Sequence, residues 1–191
     1  AAFAAKAKVQ QQSVHTESLS ELLLEARSVT VKQRLSYEVA FEPLTQVRLM
    51  VPRAILDRVR FSLRDSSGQS KPLPPPVFTA LEIDQARQCR LPLDPPQVGK
   101  FEIHAEFDQE RISDMSDEPA PVIIPVLQSS DAELSATRVQ WRTGEKWTAT
   151  LDDPAWKPEL GTDKTSVWKA NGAKNSIPMK VASTSDSVLQ D

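Results

Sequence analysis

Gly99-Lys100-Phe101-Glu102-Ile103-His104-Ala105-Glu106-Phe107 is the stretch from which the rest of the chain can be read. Phe101, Ile103, Ala105 and Phe107 fall on one side at every second position, and Glu102, His104 and Glu106 fall on the other. Side chains alternate across an extended backbone, so this pattern is a strand with one buried and one solvated face.

The same period recurs on both sides. Upstream, Val29, Val31, Leu35, Tyr37, Val39 and Phe41 alternate with Thr30, Lys32, Arg34, Ser36 and Glu38, with a bend expected at Gln33, where the inward apolar series breaks. Further short strands carry Val47, Leu49 and Val51, then Val59, Phe61 and Leu63, which ends at the turn Asp65-Ser66-Ser67-Gly68. Val77, Thr79, Leu81 and Ile83 follow, then Cys89, Leu91 and Leu93 with Pro92 pointing outward and suggesting an edge strand, and finally Val122 to Leu127. Ser18 to Arg27 reads two ways: Ser18 with Glu21 is a capping-box pattern, whereas Leu22, Leu24 and Ala26 alternate. A strand is expected there because strands follow at once.

Seven short strands in about a hundred residues, without an intervening helix, predict two antiparallel sheets packed face to face. The run from Asp94 to Phe107, a proline turn followed by Gly-x-aromatic-x-Ile-x-Ala-x-Phe, resembles the penultimate strand of immunoglobulin-like and fibronectin type III-like modules. The resemblance covers residues 29–128 and implies an Ig-like β-sandwich. It departs from immunoglobulins proper, since those residues hold no inter-sheet cysteine pair and no tryptophan. The expected organisation is a loose lead-in over 1–17, a sandwich over 18–128, and a C-terminal piece over 129–191 that packs on the sandwich or starts a further module. That last piece holds all four tryptophans. Val139, Trp141 and Thr143, then Trp147, Ala149 and Leu151, read as a hairpin whose three-residue turn near Gly144-Glu145 puts both sets on one face.

Composition narrows the classes. The 191 residues carry a net charge of −3 with both signs interspersed, which argues against a dedicated nucleic-acid binder. No apolar run reaches the roughly 18 residues of a membrane-spanning helix. Fifteen prolines against five glycines mark rigid connectors between extended segments. One cysteine, Cys89, permits no internal disulfide, which fits the cytosol or a bacterial envelope protein without disulfides. The small residues alternating through Ala1 to Lys8 fit the remnant of a cleaved export signal or a cut from a longer chain, and both readings stay open.

Motifs for catalysis and for phosphate or dinucleotide binding are missing from the sequence. Three minor candidates remain. Glu102, His104 and Glu106 share a strand face and would suit a metal if a neighbouring strand completed the shell. Asp114, Asp117 and Glu118, with Glu110, supply oxygen donors for a hard cation. Trp156 and Trp168, set among prolines and charges, would suit stacking on a sugar ring, while Trp141 and Trp147 are expected in the core. Cys89 is expected buried, and the arginines Arg48, Arg58, Arg60 and Arg64 are expected to pair with Glu38 and Glu42 or to guard the sheet. The expectation is therefore a non-catalytic structural or protein-interaction module of a cell-envelope or exported protein, without cofactor, metal or nucleic-acid partner. A carbohydrate-binding module is the alternative, and a metal-dependent enzyme comes third.

Overall fold

The computed structural model describes residues 11–25, 28–110, 119–142, 147–162 and 165–183. Its strands are β1 (Ser13–Leu24), β2 (Ser28–Pro52), β3 (Arg60–Arg64), β4 (Ser70–Pro72), β5 (Val77–Ile83), β6 (Ala86–Glu110), β7 (Ala120–Pro125), β8 (Gln128–Ser129), β9 (Glu133–Arg142), β10 (Trp147–Leu151), β11 (Lys157–Thr162), β12 (Thr165–Asn171) and β13 (Ser176–Ser183). One 3₁₀ turn, Arg53–Ile55, is the only helical element among the described residues. The larger sheet runs β11-β12-β9-β1-β2-β6-β3-β4, with β5 beside β6 and β8 beside β2; the smaller runs β10-β13-β7. Residues of both sheets, among them Leu35, Tyr37, Ile103, Ile124, Ile177 and Met179, belong to one apolar cluster.

Two strands of 25 residues, β2 and β6, form the spine, and each joins two segments that the sequence pattern separates. Their ladder runs unbroken from Ser28↔Glu110 to Val39↔Gly99, slips, and resumes from Gln46↔Pro92 to Pro52↔Ala86. Phe41 sits in the slip at φ 77° and is 59% exposed, so it does not join the inward face expected for it. A left-handed residue steps out of the strand alternation, and its side chain goes with it.

The expected bend at Gln33 is absent. Ser20↔Gln33 and Gln33↔Ala105 keep both ladders in register, and the amide points into the core. There it is buried, and its Nε2 donates to Ser18 Oγ (2.8 Å) and to the Leu127 carbonyl (2.8 Å), while Oε1 accepts the Leu127 N–H (2.9 Å). One side chain thus supplies the hydrogen bonds that a neighbouring strand would give to the link between β7 and β8.

Ser18 to Leu24 is a strand, and β1 extends it back to Ser13. Its inward residues are Thr16, Ser18, Ser20 and Leu22, all buried, so small polar side chains stand where apolar ones would announce a strand. Thr16 Oγ1 bonds the Ser36 carbonyl (3.0 Å) and Ser18 serves Gln33. β1 pairs antiparallel with β2 but parallel with β9, a departure from two purely antiparallel sheets.

The expected hairpin between the two tryptophan-bearing segments does not form. β9 lies between β1 and β12 in the larger sheet, whereas β10 pairs with β13 in the smaller. Both apolar sets are nonetheless inward, with Val139, Trp141 and Trp147 buried. Facing sheets bury both sets in one core, which a hairpin would do only with a particular turn length. The turn residues Gly144 and Glu145 lie outside the described residues.

Several prolines sit at sheet ends or edges, whereas Pro43 lies within β2 and Pro92, Pro95 and Pro96 within β6; Pro92 is opposite Gln46 in the spine, so the edge position expected for it is not found. Pro72 is in β4 and Pro158 in β11, the two ends of the larger sheet, and Pro121 and Pro125 are in β7 at an edge of the smaller. Pro178 is in the middle strand β13, but it lies just beyond the end of β10, where its carbonyl accepts the Asp152 N–H (3.2 Å). A proline edge offers few donors to an added strand, so these edges resist unwanted pairing.

The face assigned to Val77, Thr79, Leu81 and Ile83 is the largest misreading of the core. In β5, Val77 is 61% exposed, Leu81 46% and Ile83 52%. The ladder with β6 slips between Phe78 and Glu82, and among the described residues no strand lies on the far side of β5. An outer strand with a bulge cannot keep one face over the core along its length.

Candidate functional site

The outward face of the larger sheet is a charge lattice sorted by strand. β1 presents Glu17 and Glu21, β2 Lys32 and Arg34, β6 Glu102 and Glu106, and β3 Arg60 and Arg64. Signs therefore alternate from strand to strand, and the pairs follow: Arg138 to Glu17 (2.9 Å) and Glu159 (3.1 Å), Lys32 to Glu106 (4.0 Å), Arg34 to Glu102 (3.8 Å), Arg64 to Glu102 (3.9 Å). Glu38 and Glu42, the partners expected for the arginines, make no ion pair among the described residues. Each exposed pair adds little stability, but opposite charges across strands favour this strand order over others.

The candidate metal set lies inside this lattice. His104 Nε2 is 2.9 Å from Glu102 Oε2, and the guanidinium groups of Arg34 and Arg64 flank the same carboxylate. Glu106 is engaged by Lys32. Two fixed positive charges beside Glu102 repel a cation, and no group of three or more potential ligands converges among the described residues. Treatment with a chelator is therefore expected to leave the melting temperature unchanged, whereas Glu102→Gln should lower it slightly by stranding two arginines; scanning calorimetry reads both. Asp114, Asp117 and Glu118 lie outside the described residues.

The tryptophans divide differently from the expectation. Trp156 is 3% exposed and part of the core, so its ring faces are not offered to a ligand. Trp168 is half-buried and lies parallel to Trp141, with centroids 6.4 Å apart and planes 9° apart. Pro158 faces Trp168 across the β11–β12 ladder. The indole N–H groups of Trp141 and Trp156 are buried without a partner.

Cys89 is fully buried between Leu49 and Phe78, its cross-strand neighbours, and burial pushes its thiol up to about 11. A protonated, enclosed thiol is a packing group. Asp131 is half-buried; it accepts the Arg48 N–H (3.0 Å) and the Ser129 hydroxyl (3.0 Å). Desolvation outweighs these bonds and raises its carboxyl above the ordinary value. The folded protein thus holds this proton more tightly than the unfolded chain. Its contribution is fully present below the unfolded pKa of 3.8 and is lost as pH rises through the raised folded value. Asp131→Asn is expected to raise the melting temperature at pH 7 and to converge with the parent near pH 3; a gap that widens on acidification would contradict this.

Two surface depressions stand out. One, of about 670 Å³, lies over the small Ser36 on the outward face and is rimmed by His15, Glu17, Glu38, Lys100 and Glu102. The other, of about 510 Å³, lies where the end of β2 meets β7, and Met50, Pro52, Ile83, Ile123 and Pro125 give it an apolar lining. Neither brings together a nucleophile with a base or a set of metal ligands.

Two features break the strand-sorted pattern, and the chain order reveals neither: Arg138, Lys169 and Lys157 form a row of cations across β9, β12 and β11, beside Glu159, and a pair of cations lies on the spine. Arg48 on β2 and Arg90 on β6 are directly opposite each other, both exposed, and Val77 of β5 continues the same row. Neither guanidinium makes an ion pair among the described residues. The signal, a pairing register between residues 42 apart, exists only once the ladder is known.

No family model matches this chain, and no curated protein does. Fold and surface define an all-β protein of two open sheets around one core, whose described residues include no helix long and apolar enough to cross a membrane.

Proposed function

We propose that the chain is a non-catalytic structural or protein-interaction module, built as an immunoglobulin-like β-sandwich and belonging to an exported or cell-envelope protein. The core shared by two sheets supports the sandwich. The single observation that carries the interaction reading is β5: its Val77, Leu81 and Ile83 expose aliphatic surface on an outer strand. Isolated exposed aliphatics are ordinary, but three on one outer strand form a patch suited to another protein.

A photo-reactive amino acid at Val77 or Ile83 is expected to yield protein adducts when the full-length host protein is expressed in its own cells. The same group at Gln140, within the charge lattice, is expected to yield none. Equal labelling at all three positions, or none at any, would reject the interaction reading. The carbohydrate-binding alternative has weaker support, because Trp156 is enclosed and Trp168 is packed against Trp141. Tryptophan emission is expected to be blue-shifted, poorly quenched by iodide and unaffected by polysaccharides; a saturable change on adding a glycan would reverse the ranking.

A further inference from the structure

Arg48 and Arg90 meet directly across the β2–β6 ladder, and neither makes an ion pair among the described residues; the other directly opposed cations, Lys157 with Lys169 and Lys169 with Arg138, lie beside Glu159, which pairs with Arg138 and Lys169. Directly opposite residues of an antiparallel pair have Cβ atoms about 4.5–5.5 Å apart, and like charges there repel. Elsewhere in the same sheet every directly opposed charged pair between β2 and β6 joins unlike signs: Lys32 with Glu106, Glu38 with Lys100. Asp131 stands nearby: it accepts the Arg48 main-chain N–H and the Ser129 hydroxyl, and it feels the Arg48 charge without forming an ion pair with the guanidinium. Arg87, three pairs further along β6, is placed over the Phe78 ring (5.7 Å).

We propose that the Arg48–Arg90 pair is a docking point for carboxylates, and that its occupant is an extended acidic segment of a partner protein carrying aliphatic residues. This rests on the interaction reading above and names the partner's chemistry. Two adjacent guanidinium forks suit planar carboxylates, which they bind through paired N–H donors. The same row continues into Val77, and Leu81 and Ile83 lie further along β5, so aliphatic side chains of such a segment have a surface beside its charges. The occupant lies across the face; the bulged edge of β5 makes strand addition unfavourable.

Charge also decides against other polyanions. Nucleic acids are held through many phosphate contacts, and anionic membranes through clusters of four or more basic residues. Here two opposed arginines, with Arg87 committed to the Phe78 ring, fall short of such a cluster, and Glu82 and Asp84 at the β5–β6 turn bound the patch on a chain of net charge −3.

Fluorescence anisotropy with a labelled peptide of alternating Asp and Leu tests this. Saturable binding is expected, weakening with salt, and about tenfold or more weaker for the double variant Arg48→Gln/Arg90→Gln. Arg60→Gln on the far part of the face should bind within about twofold of the parent, and an Asn/Leu peptide should not bind. Without ligand, the double variant should melt at the same temperature or higher, since it loses a repulsion. The proposal is overturned if the parent does not bind the acidic peptide, if Arg60→Gln loses as much, or if the double variant melts markedly lower. It is equally overturned if a single-stranded oligonucleotide or phosphatidylserine–phosphatidylcholine vesicles bind through the same two arginines in preference to the peptide. Should cross-links still form at Val77 and Ile83 after any of these results, the interaction reading stands and only the acidic partner falls.

Discussion

Gln33→Leu is expected to destabilise the protein by about 2–5 kcal/mol, although it replaces a buried polar side chain with an apolar one of similar size. The Leu127 N–H and carbonyl and the Ser18 hydroxyl would all lose their partner at once, in a place where water does not reach. An unmade hydrogen bond in the interior costs the full desolvation of the abandoned group, which outweighs the gain in apolar burial. Gln33→Glu separates the charge from the shape. The carboxylate keeps an acceptor for the Leu127 N–H but cannot donate to Leu127 or Ser18, and burial raises its pKa. Its stability is therefore expected to be worst at neutral pH and to recover on acidification, opposite in slope to acid unfolding of the parent. Urea melts at pH 4.5 and 7.5 read the difference; if both variants stay within about 0.5 kcal/mol of the parent, the Gln33 bridge is not holding the β7–β8 link.

Phe101→Ala is expected to cost about 3–5 kcal/mol, the range of large aromatic truncations in packed cores. Phe101 lies directly opposite Tyr37 across the spine, the rings stacked at 5.1 Å with planes 5° apart. Both are nearly sealed from solvent, and burial holds the Tyr37 hydroxyl in its protonated form far above the ordinary range. The truncation empties one side of the stack at the point where β2 and β6 are about to slip register. Phe41→Ala, four residues beyond Tyr37 on the exposed bulge, is expected to change stability by less than about 0.5 kcal/mol. Equal effects for the two would mean that the inward and outward faces of the spine are reversed.

Residues whose partner is the solvent or the core in general were readable without a structure. Phe101, Ile103, Ala105 and Phe107 are buried and Glu102 and His104 face outward, because period-two alternation expresses a single gradient from core to water. Val29 to Val39 and Val47 to Val51 follow the same gradient. That much settles an all-β fold and most of its core.

What escaped the sequence depends on a specific distant neighbour. Gln33 looks like a break until Leu127 arrives 94 residues later, and Thr16 falls in the stretch that reads as a lead-in until β1 pairs with β2 and β9. Val77, Leu81 and Ile83 have the alternation of a buried strand, yet no layer covers them, because β5 is the last strand beside β6. Trp156 sits among charges and prolines but is packed into the core. The arginine pair is the same case on the surface: Arg48 and Arg90 are unremarkable in the chain and repel each other only in the β2–β6 register. Alternation is local and survives in one dimension, whereas sheet order, register and which strand ends a sheet are set by long-range pairing, so only the tertiary structure decides which of two equally alternating strands is buried.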